Sequence, residues 1–166
     1  DLARRAFYAT ITHIDHQIRV VIGTLREEGL LENTIIGFIA DHGDMLGDHH
    51  QWAKGVMYDR SNKIPMVFNC PSYEELSWEA NSTDERLVGL YDVMPTLLDL
   101  CDMDIPAHVE GQSLLSNESR DYYYGEHCEG DMATRMIRGK RYKLIYYPEG
   151  NRIQLFDMLE EPRETK

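Results

Sequence analysis

Between Ile11 and Leu25 the apolar side chains fall at Ile11, Ile14, Ile18, Val21, Ile22 and Leu25, the spacing of one helical face. Gly29 marks the end of that helix, and Arg26 lies near its C-terminus. The pattern then changes. Asn33-Thr34 leads into Ile35-Ile36-Gly37-Phe38-Ile39-Ala40, an apolar run without alternation. Such a run predicts a central parallel strand buried on both faces. It stops abruptly at Asp41-His42-Gly43-Asp44. A helix, a buried strand and a burst of polar residues at the strand's carboxyl end predict an α/β sheet, whose ligands bind beyond the strand ends. A second strand is predicted at Ile64-Pro65-Met66-Val67-Phe68-Asn69, followed by a polar surface loop over 74–86. Asp92 reads as the N-cap of a helix through Leu97, Leu98 and Leu100, with Pro95 tolerable in its first turn. Residues 102–116, with Pro106 and Gly111, read as a connecting loop.

After Glu118 the texture is different. Tyr122–Glu126, Arg135–Arg138, Tyr142–Tyr147 and Ile153–Phe156 are short aromatic or β-branched runs, separated by turn signals at Gly139-Lys140 and Glu149-Gly150-Asn151. They predict a small antiparallel sheet. The chain therefore divides near residue 117 into an α/β region, 1–117, and a small antiparallel β subdomain, 118–166.

Composition narrows the function classes. The 166 residues are 42% hydrophobic and 28% charged, which suits a folded chain with a sizeable core. Twenty-nine acidic against seventeen basic residues give a net charge of −12. Nothing supplies the clustered Lys and Arg that nucleic-acid binding needs. No apolar run reaches the roughly 18–20 residues of a membrane span. Cys70, Cys101 and Cys128 are an odd, widely spaced set that implies neither a disulfide framework nor a CxxC metal site. The chain opens at Asp1 already inside the first helix and stops after a polar turn, as a piece of a longer protein is expected to.

The densest chemistry lies between Asp41 and Gly55. A carboxylate and an imidazole side by side at a strand end, Asp41 and His42, can both reach one cation, or can simply cap a turn. Gly43 lets the backbone turn sharply. With no thiolate nearby, a hard cation with oxygen-rich ligation suits the pair better than zinc. Lys54 is a compact ammonium fit for a tetrahedral oxyanion, although a single lysine is most often a solvated charge. His49 could hold an ester oxygen or protonate a leaving group. Asp44 and Asp48 read as loop carboxylates that cap the backbone, His50 as a neighbour of the functional histidine, and Trp52 as a packing wedge. His13 and His16, three apart on the first helix, read as solvated rather than as a metal pair.

Asp41-His42-Gly43-Asp44-Met45-Leu46-Gly47-Asp48-His49, followed by Trp52-Ala53-Lys54-Gly55, resembles the second metal-and-substrate motif of the sulfatase family, within the alkaline-phosphatase-like superfamily. The likeness runs along most of the chain. Tyr8–Asp15 resembles the helix before the motif, Asn33–Ala40 its strand, Tyr91–Leu100 a late helix, and Arg135–Tyr146 with Leu155-Phe156-Asp157 the family's C-terminal sheet. The resemblance implies part of a three-layer α/β sandwich with a small C-terminal antiparallel sheet. It implies a sulfuric ester hydrolase acting on a small-molecule or carbohydrate sulfate through a formylglycine nucleophile and calcium, with manganese or another divalent cation as the alternative. Carried over, Asp41 and His42 are the last two metal ligands, Lys54 binds a sulfate oxygen near the bridging ester, and His49 lines the substrate pocket as a second catalytic candidate.

The Cys/Ser-x-Pro-x-Arg motif that yields formylglycine is missing from these residues: Cys70-Pro71-Ser72 puts proline one place too early. The paired aspartates expected early in a sulfatase are missing too. The remaining N-terminal half of the same protein is thus the expected partner, and this stretch alone is expected to be inactive. Two further readings stand: a phosphonate monoester or phosphodiester hydrolase of the same superfamily, and a non-catalytic binding domain that keeps the fold.

Overall fold

The computed structural model describes residues 2–71, 76 and 78–165. Its order is α1 (Leu2–Glu27), β1 (Ile36–Ile39), α2 (Asp59–Asn62), β2 (Met66–Asn69), α3 (Val93–Leu100), then β3 (Tyr122–His127), β4 (Thr134–Gly139), β5 (Tyr142–Tyr147) and β6 (Arg152–Asp157). The helix foreseen from Ile11 to Leu25 extends to a full 26 residues and ends as expected at Gly29, whose φ of +69° suits a residue without a Cβ. Its apolar face is only lightly covered. Ile18, Ile22 and Leu25 are half-buried, whereas Ile11, Ile14 and Val21 are exposed. His13 and His16 are exposed as well.

β1 departs from expectation. It pairs antiparallel with β2, Ile36 opposite Asn69 and Ile39 opposite Met66, in a two-stranded sheet. Gly37 and Phe38 are exposed rather than buried on both faces. A short apolar run signals cover above and below a strand, but it carries no information on strand direction. Within the described residues no third strand extends this sheet.

The polar loop expected over 74–86 lies in part outside the described residues; 76 and 78–86 form neither helix nor strand. Asp92 holds the N-cap position of α3, as expected, but its side chain makes no cap bond to that helix. Its two carboxylate oxygens instead accept from the backbone N–H groups of Gly89 and Gln112, and from Arg120 in a bidentate pair at 2.6 and 2.9 Å. Burial pushes the Asp92 carboxyl up, but the Arg120 hydrogen bond and the two N–H groups outweigh it, so it titrates below the usual carboxylate range. A lowered native pKa gives stability that is present above the ordinary value near 3.9 and lost as pH falls through the native one. In acid titrations followed by circular dichroism, Asp92→Asn should lack this component and be less stable near neutral pH.

β3 to β6 form one antiparallel meander in chain order, and each strand matches its predicted run to within two residues at either end. Met136, Ile145 and Gln154 stand opposite one another across β4, β5 and β6. The inner face of this sheet carries the core: Met136, Ile145, Phe156 and Met158 pack with Met45, Met57 and Tyr58 from the loop after β1. Residues on both sides of position 117 therefore share one hydrophobic cluster. Ile145 is fully buried at 0% exposure. Ile145→Ala should cost about 2–5 kcal/mol in urea unfolding, since the methylenes lost leave a cavity in a packed interior.

Candidate active site

β1 delivers Asp41 and His42 two and three residues beyond its C-terminal end. Gly43 follows, and its N–H donates to the Ser61 carbonyl at 2.7 Å. A Cβ at Gly43 would lie 2.0 Å from the Arg60 carbonyl oxygen, so the turn admits only glycine. His42 is oriented by its own backbone. Its Nδ1 lies 2.8 Å from the Gly43 carbonyl, which can only accept, so Nδ1 carries the proton. Nε2 is then left with a lone pair. Asp41 Oδ2 lies 3.3 Å from that nitrogen, and the Lys54 ammonium rests directly on it. A lone pair and a carboxylate aimed at one spot suit two ligands of a hard or borderline divalent cation. Among the described residues no group of three or more His, Cys, Asp or Glu is placed to hold a metal, so Asp41 and His42 do not form a complete site by themselves.

Lys54 reaches His42 because the intervening loop closes on itself. Met45 N–H donates to Ala53 O at 2.8 Å and Gly47 N–H to Gln51 O at 2.8 Å, a hairpin-like return that carries residue 54 back to the strand end. Gly47, at φ +90°, is the sharp bend. Asp44 acts as foreseen, its Oδ1 accepting from Leu46 N–H at 2.8 Å. Asp48 does not cap; it pairs with Arg60 at 2.7 Å and Arg4 at 3.7 Å, tying the loop to α2 and α1. Trp52 lies against Gly47 but remains 54% exposed, so it is a partial wedge.

His49 faces elsewhere. Its ring stacks on Tyr58 with centroids 4.2 Å apart and planes 6° from parallel, and its Nε2 lies 3.2 Å from the Arg163 carbonyl. The structure thus brings Asp41, His42 and Lys54 together and directs His49 to the C-terminal segment. His50 is exposed beside it.

Two features escaped the sequence reading. His127, at the end of β3, packs against Gly55, where an added Cβ would lie 3.2 Å from its Nε2. Behind the loop, Lys143 is buried between two carboxylates, 2.6 Å from Asp59 Oδ1 and 2.6 Å from Glu164 Oε1. The alternation of β5 carried a signal for the second, since it puts Lys143 on the same inward face as Ile145. The adjoining Tyr147 hydroxyl is pushed up to about 12 by burial and by Tyr58, and it donates to Gln154.

Comparison with known proteins bears on the family and the fold. Residues 47–166 match the family model described as N-sulphoglucosamine sulphohydrolase, C-terminal. An arylsulfatase of Clostridium perfringens is 38% identical over 168 residues, covering 98% of this chain and 35% of that enzyme. The solved structure of BT4656 in complex with its substrate D-glucosamine-2-N,6-O-disulfate superimposes with a TM-score of 0.85 at 27% identity, over 94% of this chain and 34% of that one. A phosphonate monoester hydrolase of Agrobacterium radiobacter gives 0.83 at 24% identity, over 94% and 35%, a likeness of fold alone. This chain spans about a third of the length of each of these proteins. The family model over most of the chain and the 38% identical arylsulfatase lead to one conclusion: the chain belongs to the sulfatase family and corresponds to a C-terminal portion of its members.

Proposed function

We propose that this chain is the C-terminal part of an enzyme that hydrolyses a sulfate ester, on a small molecule or a carbohydrate. The observation that carries the reading is the Lys54 ammonium resting on His42 Nε2 beside the Asp41 carboxylate at the end of β1. The loop brings an ammonium to the Asp41–His42 pair, and in this reading it would meet the oxygens of an ester bound to a cation there. A formylglycine in the preceding part of the protein would supply the nucleophile, and a divalent cation, calcium in the family that the chain resembles, would polarise the ester oxygens. Asp41 and His42 would hold that cation, with Nδ1–H of His42 anchored on the Gly43 carbonyl to fix the ring. Lys54 would bind the oxygen that bridges sulfur and the leaving group.

The phosphonate monoester hydrolase neighbour favours a second reading, in which the same pair serves a phosphonate or phosphodiester. The full-length protein should be assayed on matched aryl sulfate, aryl phosphonate and aryl phosphodiester substrates. Calcium-dependent turnover greatest on the sulfate supports the first reading, and preference for a phosphorus ester replaces it with the second. The 166-residue chain by itself should show only weak calcium binding in calorimetric titration, because two ligands fall short of the six to eight oxygen contacts calcium takes.

A further inference from the structure

We propose that His49 is a positioning residue: its ring, gripped by Tyr58 and by the Arg163 carbonyl, fixes the tip of the loop that returns Lys54 to His42. The inference rests on the sulfatase reading of Lys54 and departs from the pocket-lining role that the family resemblance suggested for His49.

The loop tip is conformationally unusual. His49 and His50 are both in the left-handed region, at φ +52° and +58°. Non-glycine residues in that region cost free energy and persist only where the surroundings over-determine them. For His49 the surroundings are visible. One face of its imidazole is covered by the Tyr58 ring, and Nε2 must carry a proton to meet the Arg163 carbonyl. Both partners are tied to other parts of the chain. Tyr58 is buried, and its hydroxyl both donates to Gln154 Oε1 at 3.1 Å and accepts from Gln154 Nε2 at 3.0 Å. Arg163 precedes Glu164, whose Oε2 accepts from the Asp59 N–H at 2.7 Å and whose Oε1 lies against Lys143. A continuous series of contacts therefore runs from β5 through the C-terminal segment to His49, and through the self-closing loop to Lys54.

The test is a double-mutant cycle in the full-length enzyme. His49→Ala should lower kcat for an aryl sulfate about tenfold with KM little changed, the scale expected when a transition-state contact is displaced rather than deleted. In a Lys54→Ala background the same change should cost almost nothing more, since there is no ammonium left to position. His49→Phe, which keeps a flat ring over Tyr58 but loses the donor to the Arg163 carbonyl, should recover kcat only in part and leave the pH profile in place. Losses that multiply in the double variant would overturn the proposal, because a group that touches substrate or transfers a proton by itself behaves in that way. If the wild-type enzyme turns over no sulfate ester, the functional reading falls by itself. Hydrogen exchange of the loop then decides the positioning claim: His49→Ala should speed amide exchange over residues 45–54, and unchanged exchange there refutes it.

Discussion

Lys54→Ala in the full-length enzyme is expected to lower turnover of a sulfate ester by on the order of a hundredfold or more, as removal of one preorganised oxyanion donor does. Negative charge builds on the bridging oxygen as the sulfur–oxygen bond breaks, so an ammonium fixed beside it stabilises the transition state more than the bound ester. The effect should therefore fall on kcat more than on KM. Calcium affinity should not fall. A protonated lysine has no lone pair to give a cation, so it is not a metal ligand. Lys54→Arg should rescue poorly, because a planar fork does not match a single bridging oxygen. Steady-state kinetics alongside calcium titration decide the matter. Turnover intact in Lys54→Ala would return Lys54 to an ordinary surface charge.

Much of this site is local in sequence, and that is why it could be read there. Asp41 and His42 are adjacent, and Lys54 follows within one loop whose bend is marked by Gly47. The β3–β6 meander was legible for the same reason: short strands, turn residues between neighbours, and pairing only between consecutive segments. What the sequence did not disclose is what non-local partners decide. The Ile36–Ile39 run has the composition of a strand covered on both faces, yet its direction depends on a neighbour 30 residues on. Asp92 has the residue type and position of a helix cap, but Arg120, 28 residues later, captures its carboxylate. The family resemblance made His49 a pocket-lining residue, whereas its ring stacks on Tyr58 and its Nε2 meets the carbonyl of Arg163, 114 residues away.

Lys143 is the extreme case of such a non-local partner, and its removal should have the largest effect on stability. At 1% exposure its ammonium is shut away from water, compensated by Asp59 and by Glu164, itself 4% exposed. Lys143→Met keeps most of the side-chain volume and removes only the charge. Glu164 is then left buried without its counter-charge, with the Asp59 N–H as its remaining partner among the described residues, while Asp59, more open to solvent, is less affected. Breaking a buried pair from one side costs about 3–5 kcal/mol, far more than an exposed pair would. Glu164→Gln alone should be milder, since the amide oxygen can still accept from Asp59 N–H and Asp59 still neutralises Lys143. The informative variant is the double one. Lys143→Met with Glu164→Gln removes both buried charges together, so it should be more stable than Lys143→Met alone, because exchanging a whole buried pair for neutral groups is often nearly free. Urea unfolding of the four proteins measures this directly. A double variant as unstable as the sum of the singles would mean that the two groups act separately, and that the C-terminal segment is held in place by packing rather than by the ion pair.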